Sequence, residues 1–246
     1  MTKETGAAET AEGRFITIEG IDGCGKSTQA KRLCEWLDGT EKEPEKEPER
    51  RQNQRQNQKK VLRTFEPGGW SGGEFLRRLL LEGSPVTSRT ELLLFLADRS
   101  GHLDAEIEPA LLSGRWVVCE RYTDSTLAYQ SWGRGIALRE VEGFLDLCRF
   151  RTPDLTILLD IGAPAARARL ERRGRLDRIE SELDSELDKE GFMARVAQGY
   201  RELAKRRPER IAVLDAASDA DRVFEAVQEC VLRRLRPGVG PGRNSA

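Results

Sequence analysis

Residues 15–29 read FITIEGIDGCGKSTQ. An apolar run rich in isoleucine enters a glycine-rich turn, and a segment of good helix formers follows. From Gly20 to Ser27 the spacing is G-x-x-x-x-G-K-[ST], in the strand–loop–helix setting that this pattern requires. Glycines let successive backbone N–H groups converge on phosphate oxygens with no Cβ in the way. A helix beginning at Ser27 adds the positive end of its dipole. Lys26 is placed to bridge β- and γ-phosphates, and the Ser27 hydroxyl to ligate Mg²⁺. The loop Gly20, Ile21, Asp22, Gly23, Cys24, Gly25, Lys26, Ser27 and Thr28 is thus the candidate site for a nucleoside triphosphate.

Outward from this loop, short apolar runs alternate with helix-period segments. Strands are expected at Phe15–Ile18, Val61–Thr64, Trp116–Cys119, Thr156–Leu159 and Ile211–Leu214. Helices are expected at about Ser27–Leu37, Gly73–Leu81, Arg89–Arg99, Leu103–Leu112, Ser125–Trp132, Leu138–Cys148, Pro164–Arg173, Lys189–Arg206 and Asp219–Leu235. Strands separated by helices imply an α/β fold, with a parallel five-stranded sheet covered on both faces. Ligands on such a sheet bind at the carboxyl ends of the strands.

Three stretches lack core-forming patterns. Residues 1–13 are small and polar, residues 237–246 are rich in Pro and Gly, and residues 39–60 hold the low-complexity run EKEPEKEPERRQNQRQNQ. The first two are expected to be disordered tails and the third a solvated insertion, leaving one domain over residues 14–236. Of the 246 residues, 38% are hydrophobic and 34% charged, with a net charge of −1. That balance argues against a general nucleic-acid binder. No apolar run approaches the ~18–20 residues that cross a bilayer. The five cysteines are scattered and form no CxxC pair, which reads as reduced thiols in the cytoplasm. With His102 as the one histidine, most zinc sites and any ordinary Ser-His-Asp triad are excluded.

A triphosphate loop does not say what is done with the nucleotide. Asparagines occur only at 53, 57 and 244, so the guanine-reading NKxD of a GTPase is absent. A small-molecule kinase needs an acceptor pocket, a clamp for the acceptor and extra positive charge. FEPGGW (Phe65 to Trp70) follows the second strand. In ELLLFLADR, Phe95 and Arg99 lie four apart and share a helix face, where a ring and a guanidinium suit a nucleobase. Glu120 follows the third strand, in position to hold a Mg²⁺ water, and Arg121 comes next. Asp124 is a candidate cap for the next helix. Ser125 with Tyr129, and Thr126 with Gln130, form a polar face there. From Ala166 to Glu182, arginines at 167, 169, 172, 173, 175 and 178 crowd around Gly174. After a phosphate loop, such a run reads as a mobile lid over residues 167–181 that brings arginines to the triphosphate.

Taken together, GxDGxGKST, EPGG, LLLFxADR, RYxDSTxAYQ and RGRLDRIE, in this order, closely resemble thymidylate kinase, a family of P-loop nucleoside-monophosphate kinases. The resemblance runs from about Phe15 to Leu235, broken by the insertion. It implies a three-layer P-loop kinase fold, transfer of the ATP γ-phosphoryl group to dTMP with Mg²⁺, and a cytoplasmic homodimer. By motif position it implies that Phe95 stacks on thymine and Arg99 reads its edge. Arg121 and Arg77 would grip the 5′-phosphate, and Asp22 would meet the 3′-hydroxyl. Tyr129 would crowd the 2′ position, Ser125, Thr126 and Gln130 would line the acceptor pocket, and Glu66 would shape the acceptor side. The catalytic group would be Lys26, Arg121, Glu120 and the lid arginines Arg172, Arg175 and Arg178, with Ser27 and Glu120 toward the metal.

Gly23 stands where one branch of the family carries a basic residue, so the lid arrangement of the bacterial type is implied. Glu120 stands where the family usually has aspartate. The extra methylene is expected to push the carboxylate ~1.5 Å outward, about one carbon–carbon bond, and displacement on that scale costs ~10²-fold in rate. Two alternatives stand beside this reading. One is a deoxynucleoside kinase with Glu66 as base on a 5′-hydroxyl, and the other is a nucleotide-binding module of weakened catalysis.

Overall fold

The apolar runs become strands because β-branched and aliphatic side chains fit a sheet buried on both faces. In the computed structural model, which describes residues 13–39, 60–83, 86–173 and 189–235, these are β1 (Phe15–Glu19), β2 (Val61–Phe65), β3 (Trp116–Glu120), β4 (Leu155–Asp160) and β5 (Ile211–Asp215). All pair in parallel, in the order β2-β3-β1-β4-β5. Each strand continues one residue beyond the expected carboxyl end, into Glu19, Phe65, Glu120, Asp160 and Asp215.

Helices α1 (Lys26–Asp38), α2 (Gly73–Glu82), α3 (Ser88–His102), α4 (Glu108–Leu112), α5 (Thr123–Thr126), α6 (Leu138–Cys148), α7 (Ala163–Arg173), α8 (Lys189–Arg206) and α9 (Ala220–Leu235) make the crossovers. Two expected helices are instead composite. A π-helical stretch, Leu103–Ile107, precedes α4, and another, Leu127–Gly133, prolongs α5. The first runs up to Pro109, which has no N–H to give to the preceding turn.

Side chains alternate across the strands and build a core on each face. Ile16, Ile18, Val118 and Ile157 join Leu33 and Val227 on one side. Phe15, Val117 and Cys119 join Leu103, Ile107 and Tyr122 on the other. The result is the expected three-layer arrangement. Pairing of Ile18 with Glu120, and of Phe65 with Glu120, brings the ends of β1, β2 and β3 level. The phosphate loop, the EPGG turn and the Arg121 turn therefore leave the sheet side by side.

Two sequence-based expectations are corrected. Gly13 belongs to the folded body: it is buried and its N–H donates to the Leu111 carbonyl at 3.3 Å. The remainder of the N-terminal tail, residues 40–59 of the insertion and residues 237–246 lie outside the described residues. Asp124 does not cap α5. The Glu19 carboxylate does so from β1, accepting the N–H groups of Tyr122 at 2.7 Å and Ser125 at 3.3 Å. Asp124 is instead the buried partner of Arg210, with contacts of 2.6 and 2.8 Å, and also accepts from Thr156 at 3.3 Å. Asp124 is 1% exposed and the Arg210 side chain 10%, so water reaches the pair little.

Removing one member of a buried pair strands the other's charge, at about 3–5 kcal/mol. Asp124→Ala is therefore expected to lower unfolding free energy by about that amount, measured by urea denaturation, whereas Lys31→Ala, which breaks an exposed pair with Glu35, changes it by less than ~1 kcal/mol.

Candidate active site

At the carboxyl edge of β1, β2 and β3 lies a cavity of about 420 Å³. Asp22, Gly23, Gly25, Lys26 and Ser27 border it from the phosphate loop, and Glu120 and Arg121 from the end of β3. Glu66, Arg77, Phe95, Arg99, Ser125, Thr126, Tyr129 and Gln130 complete the wall. The residues chosen from separate sequence motifs thus share one space. Gly20, Ile21 and Cys24 do not border it. Thr28 borders a second cavity.

The phosphate loop is held from within. Lys26 Nζ donates to the Gly20 carbonyl at 2.9 Å and the Ile21 carbonyl at 3.0 Å, and lies 3.4 Å from Asp22. Gly23 has φ 83°, and a Cβ there would lie 2.3 Å from the Ala166 carbonyl oxygen of α7. No side chain fits that position, whatever its charge. Ser27 Oγ donates to Glu120 Oε2 at 2.6 Å. With its extra methylene, the Glu120 carboxylate stays within hydrogen-bond reach of the phosphate loop. The other oxygen, Oε1, accepts from Arg63 Nη2 at 2.9 Å.

Asp22 joins this loop to the acceptor wall. Its carboxylate pairs with Arg121 and accepts from Tyr129 Oη at 2.9 Å. Burial works to raise its pKa, yet the charges of Arg121 and Lys26 and the hydrogen bonds hold it well below the usual carboxylate range. Arg121 sits in the left-handed region at φ 65°, its N–H bonded to the Ile18 carbonyl at 3.0 Å. A non-glycine residue held there carries local strain, which the surroundings must over-determine. The guanidinium also lies 5.0 Å from the centre of the Tyr129 ring.

Arg99 is 2% exposed and fixed by polar contacts. Nε donates to Glu66 Oε2 at 2.8 Å and Nη1 to Thr126 at 2.9 Å. Glu66 Oε1 in turn meets His102 Nδ1 at 3.1 Å, and His102 Nε2 meets Thr64 Oγ1 at 2.6 Å. Phe95, one turn before Arg99, is half-buried on the same wall. Gln130 Nε2 donates to Glu91 Oε1 at 3.0 Å, and Arg134 pairs with both oxygens of Glu91. Arg77 donates to the Pro67 carbonyl at 2.7 Å. Ser125 borders the cavity, but its hydroxyl is committed to Glu19 at 2.6 Å, where Tyr200 also donates at 3.0 Å.

The second cavity, about 400 Å³, lies between the phosphate loop, α7 and the loop after β5. Arg169 donates across it to the carbonyls of Ala217 and Ser218. Arg172 borders it while bonding to the Ala168 carbonyl of its own helix. Arg175 and Arg178, and the lid beyond Arg173, lie outside the described residues.

Several supporting residues escaped the sequence reading. Glu19 had a usable signal, since a carboxylate ending a buried strand must find donors. Arg63, inside the apolar run VLRTF, had a similar one. Glu91, Arg134 and Tyr200 had none, because their partners are distant in sequence.

A family model described as thymidylate kinase matches residues 50–227. The thymidylate kinase of Alkalilimnicola ehrlichii is 43% identical over 223 residues, covering 89% of this chain and 92% of its own. That of Chromohalobacter salexigens is 41% identical over 228 residues, covering 91% and 95%. The crystal structure of thymidylate kinase from Ehrlichia chaffeensis superposes with a TM-score of 0.66 at 30% identity, covering 89% of this chain and 99% of that one. The chain belongs to the thymidylate kinase family.

Proposed function

We propose that the chain transfers the γ-phosphoryl group of ATP to the 5′-phosphate of dTMP, giving dTDP and ADP, in the cytoplasm and as a homodimer. The observation that carries the reading is the single cavity joining Lys26 and Ser27 to the wall of Phe95, Arg99 and Gln130. One end suits phosphates and the other a flat, hydrogen-bonding base. Exposed Phe75 on α2 and Leu93 on α3, two helices packed together, support a self-association surface.

The acceptor phosphate is already a nucleophile, so the transfer needs alignment and charge neutralisation rather than a strong base. Lys26 neutralises the β–γ oxygens, and Arg121 and Arg77 orient the acceptor phosphate. Asp22 holds Arg121 in place while Tyr129 closes the sugar side. Arg172 adds charge from α7, and the lid arginines Arg175 and Arg178 add more. The second cavity, with its floor at Gly25 and Thr28, has the size and position for the adenosine end of ATP.

Ser27 and Glu120 suit Mg²⁺: both offer hard oxygen donors, already in contact, at the loop that would hold the triphosphate. When bound, the ion supplies charge neutralisation at the bridging phosphate oxygens. The nucleoside-kinase alternative is disfavoured. Glu66 would have to act as base, but both its oxygens are occupied by Arg99 and His102.

ADP release measured with ATP·Mg²⁺ is expected to depend on dTMP and to be weak with dUMP. Release with thymidine instead would overturn the assignment. Phe95→Ala removes a stacking surface worth about 1–3 kcal/mol per base. It is expected to raise KM for dTMP by about 5- to 150-fold while leaving KM for ATP within twofold. A third expectation concerns pH. Because its folded-state pKa is depressed, the contribution of Asp22 to stability is fully present above its unfolded pKa and lost as pH falls toward the folded one. In urea denaturation, the stability gap between wild type and Asp22→Asn should stay level from about pH 8 to pH 5 and narrow only below about pH 4.

A further inference from the structure

Arg63 has no part in the phosphoryl transfer outlined so far, yet its guanidinium borders the reaction cavity. It arises from β2, next to β3, and reaches both Ser27 and Glu120. Nη2 donates to Glu120 Oε1 at 2.9 Å and approaches the Ser27 carbonyl at 3.4 Å. Glu120 Oε2 accepts from Ser27 Oγ at 2.6 Å. The carboxylate is thus gripped at both oxygens, by different elements. The Arg63 side chain is 41% exposed. An ion pair so open to solvent adds little to folding stability. What the pair does accomplish is geometric. A glutamate has one more rotatable bond than an aspartate, and one contact at Oε2 leaves rotation about that bond free. The second contact fixes the carboxylate plane.

We infer that Arg63 is a positioning residue, which holds the Glu120 carboxylate in the orientation that Ser27 and the ATP-bound Mg²⁺ require. The inference rests on the reading of Ser27 and Glu120 as the metal-side ligands. It separates two roles of a cation beside a phosphate site. A phosphate-binding arginine acts whether or not metal is present. A positioning arginine acts only through the carboxylate it holds.

The test is calorimetric titration of wild type and Arg63→Met with a non-hydrolysable ATP analogue, once with Mg²⁺ and once with EDTA. Methionine keeps the apolar stem of the side chain without the guanidinium, and circular dichroism with thermal melting should show the same fold. In wild type, Mg²⁺ tightens binding. In Arg63→Met, about tenfold or more of that tightening is lost, while affinity in EDTA is unchanged. Equal loss in both conditions overturns the inference, because Arg63 would then touch phosphate itself, and so does no loss in either. Absence of tightening in wild type overturns the metal reading together with the inference.

Kinetics give an independent readout. The Arg63→Met substitution should lower kcat about tenfold and leave KM for dTMP unchanged. In a Glu120→Asp background, where the shorter carboxylate no longer spans Ser27 and Arg63, the same substitution should cost less than about twofold. Equal costs in the two backgrounds overturn the inference.

Discussion

The ion pair between Asp22 and Arg121 ties the loop that follows β1 to the turn that follows β3, and the site is organised around it. Neither partner belongs to a regular element. Arg121 keeps a left-handed backbone only because several contacts converge on it: the Ile18 carbonyl on its N–H, Asp22 on its guanidinium, and the Tyr129 ring beneath. Tyr129 donates to the same carboxylate, so one acidic group fixes a cation and a phenol together. With Lys26 also within 3.4 Å, Asp22 is surrounded by positive charge and remains ionised despite its burial. Its position at the junction of the two walls makes it the hinge of their electrostatics.

The same economy recurs around the cavity. Arg99 is balanced by Glu66, Arg63 by Glu120 and Arg134 by Glu91. A buried guanidinium such as that of Arg99 is costly without a counter-charge, and even the exposed Arg63 meets an anion from another element. These pairs lock rotamers before any substrate enters. A site whose donors are already aimed does not reorganise during reaction, which is where preorganised charge gains its advantage. Below them, Glu19 receives two backbone N–H groups, a serine and a tyrosine hydroxyl. That group anchors α5, and through it Thr126 and the start of the segment bearing Tyr129 and Gln130.

Much of this was legible in the chain. The five strands follow from apolar runs, and the parallel sheet from the helices between them. The phosphate loop follows from its spacing. The strand ends were misread by one residue each, for an instructive reason. In four of the five strands, reading by hydrophobicity stops at the last apolar position, but the hydrogen-bond ladder continues; in β2 the added residue is Phe65. Glu19 and Glu120 are in the ladder and also carry site chemistry. Asp124 was misread because a polar residue at a helix start is ordinarily its cap, whereas here a strand carboxylate reached those N–H groups first. The long-range pairs, such as Glu91 with Arg134 and Asp124 with Arg210, carry no local signature. They exist because the fold buries both partners, and only the fold says where.

Glu120 and Gly23 show how one backbone constrains the placement of charge. A carboxylate with an extra methylene, considered alone, points to a displaced metal ligand. In place, one oxygen accepts from Ser27 and Arg63 holds the other. At Gly23, by contrast, no adjustment is available, since the α7 backbone stands within 2.3 Å of where a Cβ would be. Helix α7 packs so closely on the loop that no cation can project from that point. Among the described residues, positive charge beside the loop comes from Lys26 within it, from Arg63 and Arg121 on the β-strand side, and from α7. Arg169 and Arg172 border the second cavity on that helix. The close packing that forbids a basic residue in the loop is therefore the same packing that brings the arginines of α7 alongside it.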